Sequence, residues 1–349
     1  GDFRRWITST VNIDLNIPVR MVCNKQFLSL PFDTPHEEIE AAFNDRISVI
    51  PLVDKYLHLL AISLRKPAEF MIGDFPIGDD KPAFIIAEIG NNHNGSLDLA
   101  KKLIDEAAKA GANCAKFQMR SMDKLYKNSG TSDASEDLGA QYTLDLLSRF
   151  QLNNEDIFAA FDYCKEIGIM PLCTPWDHES LKLLDEYGMQ GFKLASADLT
   201  NHDLLEAMAR TGKPIIASTG MSSEAEIIEA VSLLKKFNAQ FVLLHCNSTY
   251  PAPFKDVNLN YLDRLKKIGG CPIGYSGHER GIAVAIAAVA NVARVIEKHF
   301  TLDRNMEGND HRVSLLPTEF KAMVEGIREV EQALGSNDKR RISQGEMMN

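Results

Sequence analysis

Charged and imidazole side chains recur at the ends of short apolar runs, spaced two residues apart. On an extended strand that spacing puts them on one side. Glu88 follows Phe84 and Ile86, Lys116 and Gln118 follow Cys114, and Glu297 and His299 follow Val295. Lys193 comes directly after Phe192, with Ser196 and Asp198 just beyond. His245 ends another run, and Ser276 and His278 end a further one. Two lysines with several hydroxyls suit an anionic, phosphorylated substrate. His278 and His299 end neighbouring runs, so both imidazoles could reach one metal ion with positions left open for a substrate oxygen, which makes a Lewis-acid site. Glu88 and Asp198 are carboxylates for proton transfer or charge stabilisation. Lys193 also permits a rival chemistry, a Schiff base with a keto substrate as in barrel aldolases. Taken singly, a strand-end Lys or Glu is more often a rim ion pair, and a His more often a satisfied core residue. Polar ends on most strands of one sheet favour a site.

The elements that must position these groups begin near residue 83. Apolar runs at Phe84–Glu88, Cys114–Gln118, Met170–Cys173, Phe192–Leu194, Pro214–Ala217, Phe241–His245, Ile273–Ser276 and Val295–His299 alternate with amphipathic helical stretches. That pattern predicts an α/β fold, a (β/α)8 TIM barrel whose strand ends converge on one mouth. The first helix has Ser96 to cap it, Ala100, Leu103, Ile104 and Ala107 as an apolar stripe, and Gly111 to end it. The last begins near Pro317 and is expected to bury Phe320, Met323, Val324, Ile327, Val330 and Leu334. An open doubly wound sheet is disfavoured because no Gly-rich dinucleotide turn follows any strand. The first 75 or so residues, punctuated by Pro18, Pro31, Pro35, Pro51 and Pro67, read as a separate small α+β piece. The tail from Ser336 is polar and expected to be mobile.

Composition bounds the function classes. The 349 residues are 45% hydrophobic and 25% charged, as in an ordinary globular protein. A formal charge of −10 speaks against a nucleic-acid partner. The six cysteines never fall at C-x-x-C spacing and read as reduced thiols in a cytoplasmic protein. No apolar stretch is long enough for a membrane span, and no signal peptide opens the chain, which starts without Met as a fragment would.

The run Phe84-Ile-Ile-Ala-Glu-Ile-Gly-Asn-Asn-His-Asn-Gly95, followed by Ala115-Lys-Phe-Gln118, resembles the N-acetylneuraminate (sialic acid) synthase family. So do Cys173-Thr-Pro-Trp176, Phe192-Lys-Leu-Ala-Ser196, Ser218-Thr-Gly-Met221, Leu244-His-Cys246 with Tyr250-Pro251, Gly274-Tyr-Ser-Gly-His278 and Glu297-Lys-His-Phe300. The resemblance implies condensation of phosphoenolpyruvate with an N-acylated hexosamine, giving a nine-carbon 2-keto sugar acid and phosphate. Candidate sugars are N-acetylmannosamine, its 6-phosphate, or a diacetamido trideoxy sugar. It further implies that Lys116, Thr174, Lys193, Ser196, Ser218 and Ser276 hold phosphoenolpyruvate, and that Gln118, Tyr250 and Asp310 contact the sugar. His278 and His299 would hold a divalent metal, usually manganese, with magnesium or cobalt as substitutes. Glu88 matches an acid/base carboxylate, and Lys193 becomes an anion clamp. A homodimer is expected by the same likeness.

Three departures stand out. Asp198 replaces a Glu and is one methylene shorter. Ser276-Gly277-His278 stands where the family commonly has Ser-Asp-His, which reads as loss of a carboxylate beside the metal histidine. The C-terminal antifreeze-like domain, which caps the partner's barrel and supplies an Arg, does not follow. These departures support the alternative of a regulatory or interaction protein on a synthase-like barrel. Residues 1–72 resemble a partial cystathionine-β-synthase-type (CBS) module, with Asp2 at a nucleotide-binding position but Leu64 and Pro67 at others, so it reads as a packing or dimerisation remnant. The barrel is assigned to residues 73–335 and a polar tail to 336–349.

Overall fold

The computed structural model describes residues 27–43, 47, 49–64, 70–121, 147–335 and 342–348. The chain divides into two compact units, Gly1–Ala68 and Glu69–Asn349.

In the first unit, β1 (Leu30–Pro31) runs parallel to β2 (Val49–Val53), which pairs antiparallel with β3 (Leu59–Leu64). Helix α1 (His36–Ala42) contributes Ile39 to a small core with Ile50 and Leu52. Asp54 turns the chain between β2 and β3 by accepting from the Tyr56 and His58 amides. Asp2 and the segment Gly1-Asp-Phe-Arg-Arg-Trp6 lie outside the described residues.

The second unit opens with the hairpin β4 (Phe70–Ile72) and β5 (Phe75–Ile77). The division therefore falls before this hairpin, whereas a boundary at residue 72 would cut it. Eight parallel strands follow: β6 (Phe84–Glu88), β7 (Cys114–Met119), β8 (Met170–Pro175), β9 (Phe192–Leu194), β10 (Ile215–Ser218), β11 (Phe241–Cys246), β12 (Ile273–Gly277) and β13 (Val295–His299). Their hydrogen-bonded order is β8-β7-β6-β13-β12-β11-β10-β9. The end strands β8 and β9 pack side by side, and the sheet rolls into the expected (β/α)8 barrel.

Around it stand α2 (Leu97–Lys109), α3 (Asn154–Ile167), α4 (His178–Tyr187), α5 (His202–Arg210), α6 (Glu224–Lys236), α7 (Tyr261–Gly269), α8 (Ala283–Ala290) and α9 (Pro317–Leu334). Most start at a side-chain cap. Ser96, Asn153, Asp177, Asn201 and Ser223 each accept an amide from the first turn. In α2 the buried stripe is Ala100, Leu103, Ile104 and Ala107, as the periodicity predicts. In α9, Phe320, Met323, Val324 and Ile327 are buried, but Val330 is only half-buried and Leu334 is exposed. The helix outlasts the barrel it packs on. In the tail, α10 (Gln344–Met347) forms one capped turn. Among the described residues, no helix is long and apolar enough to cross a membrane.

Strand parity sorts the core. Phe84, Ile86, Cys114, Met170, Leu172, Ile216, Val242, Leu244 and Val295 fill the barrel with Phe70, Ile72 and Ile77 of the hairpin. The alternate residues, among them Ile85, Ala87, Ala115, Phe117, Phe192, Leu243, Tyr275 and Ile296, pack beneath the helices. Parallel strands covered on both faces read as continuous apolar runs, so only their last inward positions are free to be polar.

Candidate active site

Those last inward positions meet at the C-terminal mouth in a cavity of about 270 Å³. Glu88, Lys116, Gln118, Thr174, Lys193, Ser196, Ser218, Tyr250, Ser276, His278, His299 and Asp310 all line it. Asp198 does not. It ends a single 3-10 turn, Ser196–Asp198, and accepts from Asn201 Nδ2 at 3.3 Å. Its other carboxylate oxygen is buried without a hydrogen-bond partner, and burial raises its pKa.

At the floor, Glu297 bridges the two lysines, with Lys116 Nζ at 3.1 Å and Lys193 Nζ at 3.6 Å from its two oxygens. It also accepts from Ser276 Oγ at 2.7 Å. Lys116 makes a second, close ion pair with Glu88, which in turn accepts from Gln118 Nε2 at 2.9 Å. Lys193 Nζ donates to Ser218 Oγ at 2.6 Å and to the Leu194 carbonyl at 2.9 Å. Burial pulls the Lys116 pKa down to about 8, with Glu297 opposing the shift and Lys193 adding to it. Burial alone would raise the Glu297 pKa, but the two ammonium groups reverse this and hold it well below the usual carboxylate range. Gly90 is needed here, because a Cβ would lie 2.6 Å from Glu88 Oε1 and 2.7 Å from Gln118 Cγ.

On the far wall the His278 and His299 rings stand 5.4 Å apart between centroids, with Tyr250 stacked on His278 at 4.2 Å. His278 Nδ1 donates to the Asn247 carbonyl at 2.7 Å, which directs Nε2 towards Tyr250 Oη, 2.9 Å away. Burial opposes a charged His278, but Cys246 Sγ and the Asn247 carbonyl outweigh it, so its pKa is raised. Burial pushes His299 well below the usual imidazole range, and its Nδ1 is buried without a hydrogen-bond partner, 3.8 Å from Asp310 Oδ2. Among the described residues, no group of three or more His, Cys, Asp or Glu donors is gathered for a metal. Two imidazoles with an unsatisfied ring nitrogen nonetheless fit a divalent cation that takes its other ligands from water and substrate.

Sequence reasoning assigns no role to four groups. Glu297 is found by parity on the strand face of His299 but without a function, and Arg120 continues the face of Lys116 and Gln118, so parity carried one step further would have found it. Arg120 hydrogen-bonds Gln118 and Asn91 and lies 4.5 Å over the Trp176 ring. Trp176 lines the cavity and donates to Gln118 Oε1 at 3.2 Å. Asn91, also on the lining, enters through a loop that no periodicity marks. Two histidines are structural. His93 is buried, accepts from the Gly95 amide at 3.3 Å and stacks on Phe117. His245, of outward parity, bonds the Val257 carbonyl at 2.6 Å.

Position 277 overturns the reading of a carboxylate lost beside the metal histidine. Its parity is opposite to that of Ser276. A Cβ there would meet Tyr275 Cε1 at 2.7 Å, Glu279 Oε2 at 2.8 Å and Lys298 Cδ at 2.9 Å. The residue faces a buried cluster outside the barrel, where Glu279 pairs with Lys298 at 2.9 Å and accepts from Tyr275 Oη at 2.6 Å. Glu279 already supplies the carboxylate for that space.

Residues 103–339 match the family model described as the NeuB family. The chain belongs to the NeuB family. It is similar to the N,N'-diacetyllegionaminic acid synthase of Campylobacter jejuni, with 41% identity over 74% of this chain and 80% of the relative. It is also similar to the human N-acetylneuraminate-9-phosphate synthase, with 37% identity over 75% and 74% of the two chains. Among solved structures, the N-acetylneuraminic acid (sialic acid) synthetase of Leptospira borgpetersenii, in complex with citrate, superposes with a TM-score of 0.73. It is 36% identical, over 80% of this chain and 94% of that one.

Proposed function

We propose that this NeuB-family chain condenses phosphoenolpyruvate with an N-acylated hexosamine to give a nine-carbon 2-keto sugar acid and inorganic phosphate. The observation that carries this reading is the buried pair Lys116 and Lys193, held 3.1 and 3.6 Å from one carboxylate, Glu297, among cavity hydroxyls. Two fixed ammonium groups with Thr174, Ser218 and Ser276 suit the phosphate and carboxylate of one small polyanion. The unpartnered Thr174 Oγ1 is a buried hydroxyl with a hydrogen bond still to make.

In this reading C3 of the enol phosphate attacks the sugar aldehyde, forming a C–C bond and leaving positive charge at C2. Water adds at C2, and phosphate leaves with cleavage of its C–O bond. Glu88, close to Lys116, is placed to exchange the proton of that water or of the new hydroxyl. Gln118, Tyr250 and Asp310 orient the sugar across the cavity from the lysines. His278 and His299 would hold a divalent metal, manganese in the first instance, which supplies Lewis acidity to a carbonyl oxygen. Lys193 serves as an anion clamp, since its ammonium is already committed to Ser218, the Leu194 carbonyl and Glu297.

The test is phosphate release from phosphoenolpyruvate with N-acetylmannosamine, its 6-phosphate and diacetamido trideoxy hexoses, run with manganese and with EDTA. Metal-dependent release with one sugar is expected. Absence of any phosphoenolpyruvate binding by calorimetry would overturn the reading and favour a non-catalytic barrel. Light scattering of the same preparation tests the homodimer that belongs to this proposal.

A further inference from the structure

A second cavity, of about 400 Å³, opens on the same face of the barrel and plays no part in the chemistry above. Arg280 and Gly281 line it from the loop after β12, and Arg304, Arg312 and Ser314 from the loop after β13. Glu319, in the first turn of α9, is the one carboxylate on its wall. That carboxylate is already engaged: it pairs closely with Arg304 and accepts from the Leu316 amide at 2.8 Å. Arg304 is likewise fixed, its Nε donating to the Ser314 carbonyl at 2.9 Å. The exposed guanidinium groups of Arg280 and Arg312 have no hydrogen-bond or ion-pair partner among the described residues. Three cations against one neutralised carboxylate leave the cavity with two uncompensated positive charges.

Gly281, at φ +80°, lies on the cavity wall just before α8 begins. In the barrel β12 and β13 are strands seven and eight. The loops after those two strands are where (β/α)8 enzymes frequently hold phosphate. Arg280 is two residues from His278, and Arg312 two residues from Asp310, so in both loops about 7 Å of chain at most separates a wall of one cavity from a wall of the other.

We propose that the Arg280–Arg304–Arg312 cavity is a second anion site, which takes a phosphate monoester group. Guanidinium forks match the paired oxygens of such a group, and Arg304, already oriented by Ser314 and Glu319, gives the site a fixed side. The phosphate arrives either on the sugar co-substrate, docked across both cavities, or on a separate phosphorylated ligand bound beside the reaction.

The experiment compares the wild-type chain with R280Q/R312Q by calorimetry, titrating inorganic phosphate at low ionic strength without phosphoenolpyruvate or metal. Phosphate bound at Lys116 and Lys193 is common to both proteins, so their difference isolates the arginine cavity. The wild type is expected to bind one phosphate more, with that site weakened about tenfold or more in the variant. R280K/R312K, which keeps the charge and loses the fork, should fall between them. Identical isotherms in proteins with the same unfolding midpoint would overturn the proposal. Binding of an N-acylated hexosamine and of its 6-phosphate then names the source. Selective weakening of the 6-phosphate in R280Q/R312Q assigns the site to the co-substrate. Equal binding of both sugars to both proteins, with the phosphate difference retained, assigns it to a separate ligand. Because the phosphate titration needs no turnover, it stands whether or not the first cavity proves to be a synthase site.

Discussion

Replacing Glu297 by Gln removes one negative charge and little volume, and it separates two roles for this side chain. If Glu297 is what keeps two ammonium groups in the barrel floor, the ligand-free protein should suffer most, and an anionic ligand should repair it. At an effective dielectric of about 20, contacts of 3.1 and 3.6 Å correspond to about 5 kcal/mol of Coulomb attraction each. Relief of the carboxylate's own burial cancels part of this. Removing one partner of a buried ionic cluster leaves a net cost of about 3–5 kcal/mol. For a barrel of this size each kcal/mol moves the midpoint by about 2 °C, so E297Q should unfold roughly 6–10 °C below the wild type. Saturating phosphoenolpyruvate should raise the E297Q midpoint by several degrees more than the wild-type midpoint, because its charges take the place of the missing one. Scanning calorimetry with and without the ligand reads both effects. An unchanged midpoint in E297Q, or equal stabilisation of both proteins, would refute the electrostatic account of the floor.

Burial places the Lys116 pKa at about 8, so the ammonium that favours an anion is lost from the free protein above that pH. The calorimetric Kd for phosphoenolpyruvate should be flat from pH 7 to 8 and then weaken by up to about tenfold per unit; equal affinity at pH 7 and 9.5 would remove Lys116 from the contact. H278A and H299A should each weaken manganese binding, followed by the paramagnetic signal of the free ion, by about 100-fold or more, taking a ligand to matter at least as much as its outer-shell partner. Wild-type affinity in both variants would mean the metal sits elsewhere. G277D, which restores the common family residue, should destabilise by about 1–3 kcal/mol through overpacking against Tyr275 and Lys298, with added repulsion from Glu279. G277D/E279Q should recover part of that loss in urea denaturation, and no recovery would show that charge is not the issue.

Much of the barrel was legible because its signal is local. Each strand is a run of a few apolar residues, and each inward polar group is the last in a two-residue alternation. The same rule explains what went unread. As a motif Ser276-Gly277-His278 suggests three residues of one site, yet alternation sends position 277 out of the cavity to Lys298 while its neighbours point in. Parity puts Glu297 on the strand face of His299, but that two lysines from other strands meet on its carboxylate is a long-range fact that no local pattern carries. Asp198 belongs to a 3-10 turn, which has no two-residue period, so its departure from the cavity could not be read from spacing. Leu334 continues the α9 stripe perfectly, but periodicity says nothing about where the underlying core stops. The arginine cavity was invisible because Arg280 and Arg312 come from loops separated by an entire strand and helix.

The placement of charge follows from the layers beneath it. Ile86, Leu172, Leu244 and Val295 form a buried apolar layer under the lysine floor, which offers Lys116 and Lys193 no polar partner from below. Their charges must be met by protein carboxylates until a ligand arrives, and Glu88 and Glu297 meet them. An anion entering this cavity therefore exchanges partners instead of filling an empty field, and selectivity rests on how well its geometry replaces carboxylates already in place. At the outer loops the requirement is reversed. Arg280 and Arg312 reach solvent, need no protein counter-ion to be tolerated, and stay open to any anion that comes. A cavity whose cations are buried can discriminate among anions because it must be neutralised in advance, whereas one whose cations reach solvent offers attraction first.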